Sequence, residues 1–394
     1  MTFSQYGNYL YLYILLLTAI PAIVLGLLGK KIKFYGMIAT LFMIFLIVGT
    51  HLQFKFLCAF IIWELIIVYG YLYVRKKTDS KFIYRLFLFG SMLPVILNKV
   101  SPYFNKLIPH AKIGIIGFIG ISYLNFRVIQ MVVEIYDEAI KEVKLSTFLY
   151  FVLFFPTLSS GPIDRSRRFE KDLDRELSRE EYLDEYLMPG IKKIFLGIVY
   201  KFVIAFLINT LWLTKIHTDH FTVMRALSYM YAYTLYLFFD FGGYSLFAVG
   251  TSYIFGIKAP DNFNKPFISK DMKEFWTRWH ISLSRWFGDY IFSRFVISSM
   301  RKKRFKKRAT AAHVAQMITM ITMGFWHGLT WYYIVYGVYE GAALVLTDIY
   351  QRKSKFYKKH KKEKWFEYLQ IFITWQIVAF GMLLFSGYFA LLKK

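Results

Sequence analysis

The chain has 394 residues, of which 57% are hydrophobic and 21% aromatic, and it carries a formal net charge of +25. Such an apolar fraction exceeds what a soluble domain of this length can bury, which excludes an ordinary soluble protein. The basic residues fall in short clusters between apolar runs, and no segment has the pattern of a soluble nucleic-acid-binding module, so we expect no nucleic-acid partner. The composition predicts a protein embedded in the lipid bilayer.

Apolar runs of about 20 residues, the length that a helix needs to cross a bilayer, recur along the chain. The first, Tyr9 to Leu28, has no basic residues before it, so we interpret it as a retained span rather than a signal peptide. The runs are continuous rather than alternating, which favours helices over strands. The other long candidate spans are Phe34 to Gly49, Phe54 to Val74, Phe82 to Asn98, Lys112 to Val133, Gly190 to Trp212, Met224 to Phe241 and Phe366 to Leu392.

Three other regions are apolar but less regular. Leu145 to Ser160 predicts a short or re-entrant helix, Tyr244 to Ile257 another short segment, and Ala311 to Leu346 two more helices. The whole pattern predicts an all-α polytopic membrane protein with about 11 transmembrane helices and several short re-entrant or interfacial ones. Because the chain contains no repeat of domain size and no low-complexity linker, we expect residues 1–394 to form a single membrane domain.

The basic clusters indicate how the spans are oriented. Lysine and arginine concentrate in the cytoplasmic loops of membrane proteins, and assigning every cluster to the cytoplasm agrees with the order of the spans. This assignment places the N-terminus outside and predicts a multi-pass protein of the cell membrane. The clusters are Lys30 to Lys33, Arg75 to Lys77, Arg165 to Arg179, Arg301 to Arg308 and Arg352 to Lys364.

Two histidines are candidates for chemistry, because a strongly polar side chain within an apolar segment is costly and is therefore a functional hypothesis. His327 lies in an apolar, tryptophan-flanked segment whose glycines leave room for another group to approach the imidazole. His280 lies where three tryptophans and two arginines share a turn or two of predicted helix, Glu274 to Trp286. Each histidine also has a structural alternative. His327 could serve only in a structural hydrogen bond, and His280 could lie in an aromatic belt at the membrane interface.

Other kinds of site find less support. The single cysteine, Cys58, lies in an apolar run without an activating partner, so we do not expect a covalent acyl intermediate on it. With one cysteine, neither an intrachain disulfide nor a CxxC metal site can form. His217 and His220 lie in a predicted outside loop without further ligands, and we expect solvated residues there and no metal site.

The segments around the two candidate histidines resemble the membrane-bound O-acyltransferase family. Pro260 to Phe267 followed by Glu274 to Asp289 is similar to the family's first histidine region, and Phe325 to Gly328 is similar to the second. The resemblance is strongest to the family members that transfer D-alanine to teichoic acid in Gram-positive bacteria. Three further segments carry it: Ser122 to Glu142, Phe154 to Arg165 and Phe238 to Ser245.

The resemblance implies a ring of helices around a central tunnel, in which His327 is the catalytic residue and His280 supports the site. Acyl transfer from a thioester to a hydroxyl needs a base, and a neutral imidazole suits that task near neutral pH. The developing oxyanion needs hydrogen-bond donors, for which His280, Trp326 and Asn264 are candidates. The candidate tunnel or substrate residues are Trp326, Asn264, Asp240 and Trp279.

Between the two histidines, an apolar patch precedes seven basic residues in eight, Arg301 to Arg308. One interpretation is an anchor for anionic lipid headgroups. The other is a dock for an acidic acyl carrier protein, whose approach the basic run would steer; its candidate residues are Val296, Ile297, Met300 and Arg301. The resemblance implies that this carrier brings the donor as a phosphopantetheine thioester and that the chain itself binds no cofactor. It also implies partners among the other membrane proteins of teichoic acid D-alanylation.

The sequence leaves several functions open. Enzymes that O-acetylate exported polysaccharides share the histidine motifs, and a flippase or transporter would also place polar residues at mid-membrane. A structural assembly subunit without activity of its own is a third alternative. Whether the acyl group reaches the polymer directly or through the hydroxyl of a partner protein is also open.

Overall fold

The computed structural model of the chain describes residues 5–107 and 117–392. Within those ranges the chain forms helices, turns and loops and no strand, which confirms the prediction of an all-helical protein. The expectation that residues 1–394 form a single domain stays a prediction. The chain divides into two compact units, Met1–Gly197 with Tyr244–Pro260 and Ile198–Gly243 with Asp261–Lys394.

The first unit begins with long apolar helices and continues into shorter ones. Its helices are α1 (Tyr9–Leu27), α2 (Lys33–Ile47), α3 (His51–Arg75), α4 (Lys81–Leu107), α5 (Ile121–Tyr136), α6 (Leu145–Leu153), α7 (Ser166–Asp174), α8 (Arg179–Glu181) and α9 (Met188–Ile198). A 3-10 turn, Phe155–Thr157, follows α6, and a π-helical turn, Tyr182–Leu187, joins α8 to α9. Turns of π geometry are rare in helices and occur frequently at functional sites.

The second unit contains the C-terminal helices and both candidate histidines. Its helices are α10 (Phe206–Leu211), α11 (Val223–Ile254, which continues into the first unit), α12 (Met272–Arg278), α13 (Ile281–Phe287), α14 (Ser293–Arg301), α15 (Arg308–His327), α16 (Trp331–Lys353), α17 (Lys355–His360), α18 (Lys364–Phe385) and α19 (Tyr388–Leu391). Two π-helical turns, Val199–Ala205 and Gly288–Phe292, precede α10 and α14. Short 3-10 turns occur at Leu213–Lys215 and Pro266–Ile268.

Several helical stretches of the described residues have the length and composition to cross a membrane. They are Tyr9–Leu27, His51–Arg75, Lys81–Phe104, Arg179–Lys215 and Lys364–Leu391, and the shorter apolar helices are Lys33–Ile47 and Leu145–Thr157. The protein is therefore a multi-pass membrane protein. The count of about 11 spans, the ring around a tunnel and the outside position of the N-terminus stay predictions.

Two expected segments form one helix. Met224 to Phe241 and Tyr244 to Ile257 were expected as separate segments, and this division was wrong, because α11 runs unbroken for 32 residues. Gly242 and Gly243 interrupt the apolar pattern, yet both are buried inside the helix, where packing offsets their weak helix propensity. Ala311 to Leu346 holds two helices, as predicted, and the first part of the expected span Lys112 to Val133 lies outside the described residues.

A buried arginine fixes the short helix α6 and the turn after it. Arg127 of α5 is 1% exposed, and its guanidinium donates to the main-chain carbonyls of Phe151 and Val152 at 2.8 and 3.0 Å. It also donates to both the carbonyl and the hydroxyl of Thr157 at 2.6 Å. The last carbonyls of a helix have no partner within the helix, so the arginine satisfies groups that would otherwise be buried unpaired.

Helices α9 and α11 approach each other closely at two glycines of the first unit. A Cβ atom on Gly250 would lie 2.6 Å from the carbonyl oxygen of Gly190, and one on Gly190 would lie 2.9 Å from that of Gly250. Small residues that let two backbones approach are typical of helix pairs in membranes. These two glycines therefore set the separation between the helices.

We predict that Gly250→Ala destabilises the protein by about 1–3 kcal/mol, because the added methyl group forces the two backbones apart. The measurement is thermal unfolding of the purified full-length chain in detergent. Gly288→Ala is the matched control, since Gly288 has helical dihedrals and a Cβ added to it would have no atom within 4 Å. Equal unfolding temperatures for the two variants would contradict the proposed contact.

Candidate active site

The backbone turns sharply at His280, between α12 and α13. His280 has φ +43° and ψ +52°, the left-handed conformation, which costs a residue with a side chain about 1 kcal/mol or more. The helix expected over Glu274 to Trp286 is therefore interrupted, and the expectation of one helix there was wrong. Because of the turn, the side chains of Trp279 and His280 do not have the neighbours that an unbroken helix would give them.

Asn262 holds this turn in place. Its Oδ1 accepts a hydrogen bond from the Ser282 hydroxyl at 2.6 Å, and its main-chain carbonyl accepts one from the Ile281 N–H at 2.9 Å. Asn262 is 1% exposed, so both bonds form away from water. They join the loop before α12 to the first turn of α13 and so offset the cost of the left-handed residue between those helices.

The imidazole of His280 is buried beside an aromatic ring. Its edge meets the ring of Phe241 at a centroid distance of 4.8 Å, and its Nε2 has no hydrogen-bond partner among the described residues. Burial and, second, the charge of nearby His327 lower the pKa of His280 to about 3. His280 is therefore neutral at physiological pH, and the two histidines lie within electrostatic range of each other.

His327 is the last residue of α15 and lies among aromatic rings. Its imidazole meets the rings of Trp326 and Phe385 at centroid distances of 4.7 and 4.8 Å and stacks with Tyr333 at 5.9 Å. The residue remains partly exposed. The surrounding rings limit the orientations of the imidazole. A fixed orientation suits a side chain that has to meet a substrate in a defined geometry.

The glycines near His327 allow α16 to pack against the end of α15. A Cβ on Gly324 would lie 2.5 Å from the carbonyl oxygen of Tyr333, and one on Gly328 would lie 2.7 Å from the ring of Tyr333. The space that the sequence indicated beside the imidazole is thus taken up in part by Tyr333. Its ring is one of those that hold His327 in position.

Helix α11 supplies aromatic support to the His280 turn. Phe238 meets Trp279 at a centroid distance of 6.1 Å, and Phe241, one turn further along the same helix face, meets His280. Phe263 fills the space between them, at 5.1 Å from Trp279 and 5.2 Å from Phe241. Trp279, a candidate tunnel residue, is thus a buried member of this aromatic cluster.

Asp240 lies on α11 between these two phenylalanines and forms an ion pair with Lys201. Lys201 belongs to the π-helical turn Val199–Ala205, and only 16% of its side chain is exposed. A lysine in an apolar segment is costly unless it has a partner, and Asp240 provides one. Asp240 was a candidate from the sequence, whereas Lys201 was not, although a lysine eight residues beyond Lys193 in the apolar run Gly190 to Trp212 was a usable signal.

Two asparagines of the Pro260 to Phe267 motif have different surroundings. Asn264, the candidate oxyanion donor, has an exposed side chain, and its main chain exchanges hydrogen bonds with Arg278. Asn262 is the buried one, and the Nδ2 atom of its amide donates to no residue in the described ranges. Sequence reasoning missed Asn262, because nothing in the local pattern distinguishes the two amides.

A buried carboxylate connects α12, α15 and α16. Asp348 accepts hydrogen bonds from Lys273 and from Arg352, and it contacts Nε2 of His313 at 2.7 Å. Burial by itself would raise the pKa of Asp348, but the hydrogen bonds from Arg352, Lys273 and His313 hold it well below its usual range. A carboxyl group whose pKa is lowered by folding stabilises the fold at pH values above its ordinary pKa near 4, and this stabilisation is lost in stronger acid. The stabilisation from Asp348 is therefore fully present at neutral pH.

The candidate dock lies on α14 and the loop after it. Ile297 and Met300 are three residues apart and both exposed, Val296 is half-buried, and Arg301 ends the helix with its side chain exposed. Exposed isoleucine and methionine next to a basic run form an apolar patch with a positive rim. This arrangement suits an acidic partner with an apolar contact face.

The cysteine and the loop histidine that the sequence offered differ from His280 and His327 in their surroundings. Cys58 is exposed on α3, in the first unit. His220 has 82% of its side chain exposed, beside Asp219. Among the residues that the structure describes, no group of three or more His, Cys, Asp or Glu side chains is arranged to hold a metal ion.

These features define a multi-pass helical membrane protein with a pair of histidines held in one unit by aromatic packing. The chain belongs to the membrane-bound O-acyltransferase family, whose model matches residues 34–390, and it is accordingly an acyltransferase. The resemblance to that family is thereby confirmed.

Two similar proteins cover nearly the whole chain, and a third covers part of it. A teichoic acid D-alanyltransferase of Bacillus subtilis is 43% identical over 98% of this chain and 98% of its own length. One of Streptococcus thermophilus is 42% identical over 98% of this chain and 95% of that protein. A probable alginate O-acetylase of Pseudomonas putida is 33% identical over 58% of this chain and 45% of its own length.

We predict that Asn262→Ala lowers the free energy of unfolding by about 1–3 kcal/mol, because the buried hydroxyl of Ser282 on α13 loses its acceptor. Thermal or denaturant unfolding in detergent measures the effect. Asn264→Ala is the matched control and should change stability by less than about 0.5 kcal/mol, since its side chain is exposed. A larger loss for Asn264→Ala than for Asn262→Ala would refute the assignment of Asn262 as the residue that holds the turn.

Proposed function

We propose that the chain transfers D-alanine from a carrier-protein thioester across the membrane toward teichoic acid. The observation that supports this most strongly is similarity over 98% of the chain to proteins named teichoic acid D-alanyltransferase. The two histidines of the second unit support the proposal. This unit holds two imidazoles within electrostatic range of each other, one buried and neutral and one partly exposed.

His327 is the general base in this proposal. Its imidazole takes the proton of the acceptor hydroxyl as the oxygen attacks the thioester carbonyl. A new C–O ester bond forms, the C–S bond breaks, and the proton passes from His327 to the leaving thiolate. Its partial exposure lets a substrate reach the imidazole, and the rings of Trp326, Tyr333 and Phe385 orient it.

His280 supports the reaction from the buried side. Its neutral ring, when protonated on Nε2, would donate that N–H to the oxyanion that develops on the thioester carbonyl. This role is consistent with an Nε2 atom that no described residue engages. Trp326 and Asn264 stay candidates for further donors, and the buried amide of Asn262 joins them.

Asp240 and Trp279 are proposed to shape the path that the substrate takes to His327. The Lys201–Asp240 pair places a polar group on α11 next to Phe238 and Phe241, which contact the His280 turn. The implied tunnel between the two sides of the membrane would pass these residues. Trp279 does not need to contact the substrate in this proposal, because it would shape the path by packing within the aromatic cluster.

The donor side is proposed to be the exposed face of α14. An acidic carrier protein would place an apolar helix against Ile297 and Met300, with Val296 beneath them, while Arg301 and the basic run after it attract the carrier. The phosphopantetheine arm belongs to the carrier, so the chain itself needs no bound cofactor. With the N-terminus outside, this face lies on the cytoplasmic side.

The acceptor side involves partners that the chain does not specify. We propose that the chain acts in the cell membrane and that other membrane proteins of teichoic acid D-alanylation receive or relay the alanyl group. The acceptor hydroxyl belongs either to the polymer or to such a partner. Both routes use the same base.

O-acetylation of an exported polysaccharide is the second candidate within the family. The similarity to a probable alginate O-acetylase supports it, but that match covers 58% of this chain at 33% identity. The identity of the donor separates the two: D-alanyl carrier thioester or an acetyl donor. A transporter or flippase is the alternative from another class, and it would move its solute without breaking an acyl bond.

We predict that His327→Ala lowers the transfer of labelled D-alanine from its carrier thioester about 100-fold or more, because the hydroxyl loses its base. The assay uses full-length protein in proteoliposomes at matched, folded levels, and carrier binding is measured alongside. His220→Ala is the control, since that histidine is exposed in a loop, and it should transfer normally.

Loss of transfer with retained carrier binding would support His327 as the base. Undiminished transfer by His327→Ala would refute that role, and transport of a solute without acyl transfer would favour the transporter. Transfer from an acetyl donor but not from the D-alanyl carrier would favour polysaccharide acetylation.

We predict that Ile297→Glu abolishes carrier binding and lowers transfer about tenfold or more, because a charge in an apolar contact must be desolvated unpaired. Binding of the purified carrier to the reconstituted protein is measured together with transfer. Ser146→Glu adds the same charge at an exposed polar position far along the chain from α14 and its basic run, and it should change neither. Normal carrier binding by Ile297→Glu would show that α14 is not the dock.

A further inference from the structure

A long apolar groove runs between α16 and α18 in the second unit. It encloses about 640 Å³, within the range of protein sites that bind small molecules. Helices α16 and α18 form its walls, and residues from the start of α12 and from α17 also line it. We call it the α16–α18 groove.

The groove is closed at one end and open along its side. At the closed end the Tyr339 hydroxyl donates to the Ile377 carbonyl at 2.9 Å, and a Cβ on Gly381 would lie 3.3 Å from the Tyr339 ring. From Tyr339 to Gln351 the α16 wall extends about 18 Å, at 1.5 Å per helical residue. A narrow channel of this length fits an extended alkyl chain better than a compact ligand.

The middle of the groove is formed by small and apolar side chains. Ala342 and Ala343 leave the space that larger residues would fill, and both remain partly exposed. Leu346 and Ile373, on opposite helices, are 64% and 47% exposed. An alkyl chain in the groove would cover these surfaces with apolar contacts on both sides.

The open end is polar and meets a strongly basic hairpin. Lys270 pairs with Glu367 at 2.8 Å, and the Gln351 side chain donates to Asp271 at 2.7 Å. Tyr357 of α17 lines the same end, so the hairpin that joins α16 to α18 borders the groove. From Arg352 to Lys364, eight of thirteen residues are lysine or arginine and one is acidic.

We propose that the α16–α18 groove binds one acyl chain of an anionic phospholipid from the surrounding bilayer. The apolar channel takes the chain, and the exposed lysines of the hairpin attract the phosphate at the open end. Met272, the first residue of α12, lines the groove, so the lipid would also contact the helix that leads into the His280 turn. The charge of the hairpin makes an anionic headgroup the preferred occupant.

The test is retention of lipid by the full-length protein, measured by native mass spectrometry after mixing with equal amounts of phosphatidylglycerol and phosphatidylcholine. The wild-type protein should retain one phosphatidylglycerol in preference to phosphatidylcholine. Ala343→Phe fills the channel and should lose this molecule. Val338→Phe, at an exposed position of α16 outside the groove, is the matched control and should keep it.

The headgroup contact is tested separately. Lys358→Glu combined with Lys359→Glu should lower the preference for phosphatidylglycerol on the order of tenfold while leaving the channel open. Lys76→Glu combined with Lys77→Glu makes the same change in net charge far along the chain and should leave the preference intact.

Unchanged phosphatidylglycerol retention by Ala343→Phe, or equal retention of the two lipids by the wild type, would overturn the proposal. If Ala343→Phe does not fold, as judged by its unfolding temperature, Ala342→Leu fills the same channel with a smaller side chain and gives the same test. None of these readouts depends on acyl transfer, so the result is independent of the proposed function.

Discussion

The hydrogen bonds from Ser282 and Ile281 to Asn262 hold the backbone of His280 in a left-handed turn. Without that turn, α12 and α13 would continue as one helix, and His280 would project with the helical spacing of its neighbours. The contact of its ring with Phe241 depends on the break. The arrangement of the candidate site therefore follows from a locally unfavourable conformation that buried polar contacts stabilise.

Helix α16 is the common support of both histidines. Its Tyr333 packs against the glycines beside His327, its Glu340 accepts a hydrogen bond from Trp276 at 3.2 Å, and its Asp348 binds Lys273. Trp276 and Lys273 both belong to α12, which leads directly into the His280 turn. A displacement of α16 would therefore move both imidazoles, which links the geometry of the pair to the packing of one helix.

The two basic runs near the C-terminus show how tertiary neighbours distinguish similar sequences. By composition, Arg301 to Arg308 and Arg352 to Lys364 are equivalent clusters of the kind found in cytoplasmic loops. The first follows the exposed apolar residues of α14, whereas the second borders a channel between two helices. We propose a protein partner for the former and a lipid for the latter, because an exposed helix face and a narrow channel accept ligands of different shape.

The sequence alone determined the helical class, the membrane environment and the family, because apolar run length and short local motifs encode them. It did not determine the break at His280, the continuity of α11, the partnership of Lys201 with Asp240, or the difference between Asn262 and Asn264. Each of these depends on contacts between residues distant along the chain. Hydrophobic periodicity indicates which face of a segment is apolar. It does not indicate which residues of another segment will pack or form hydrogen bonds with that segment.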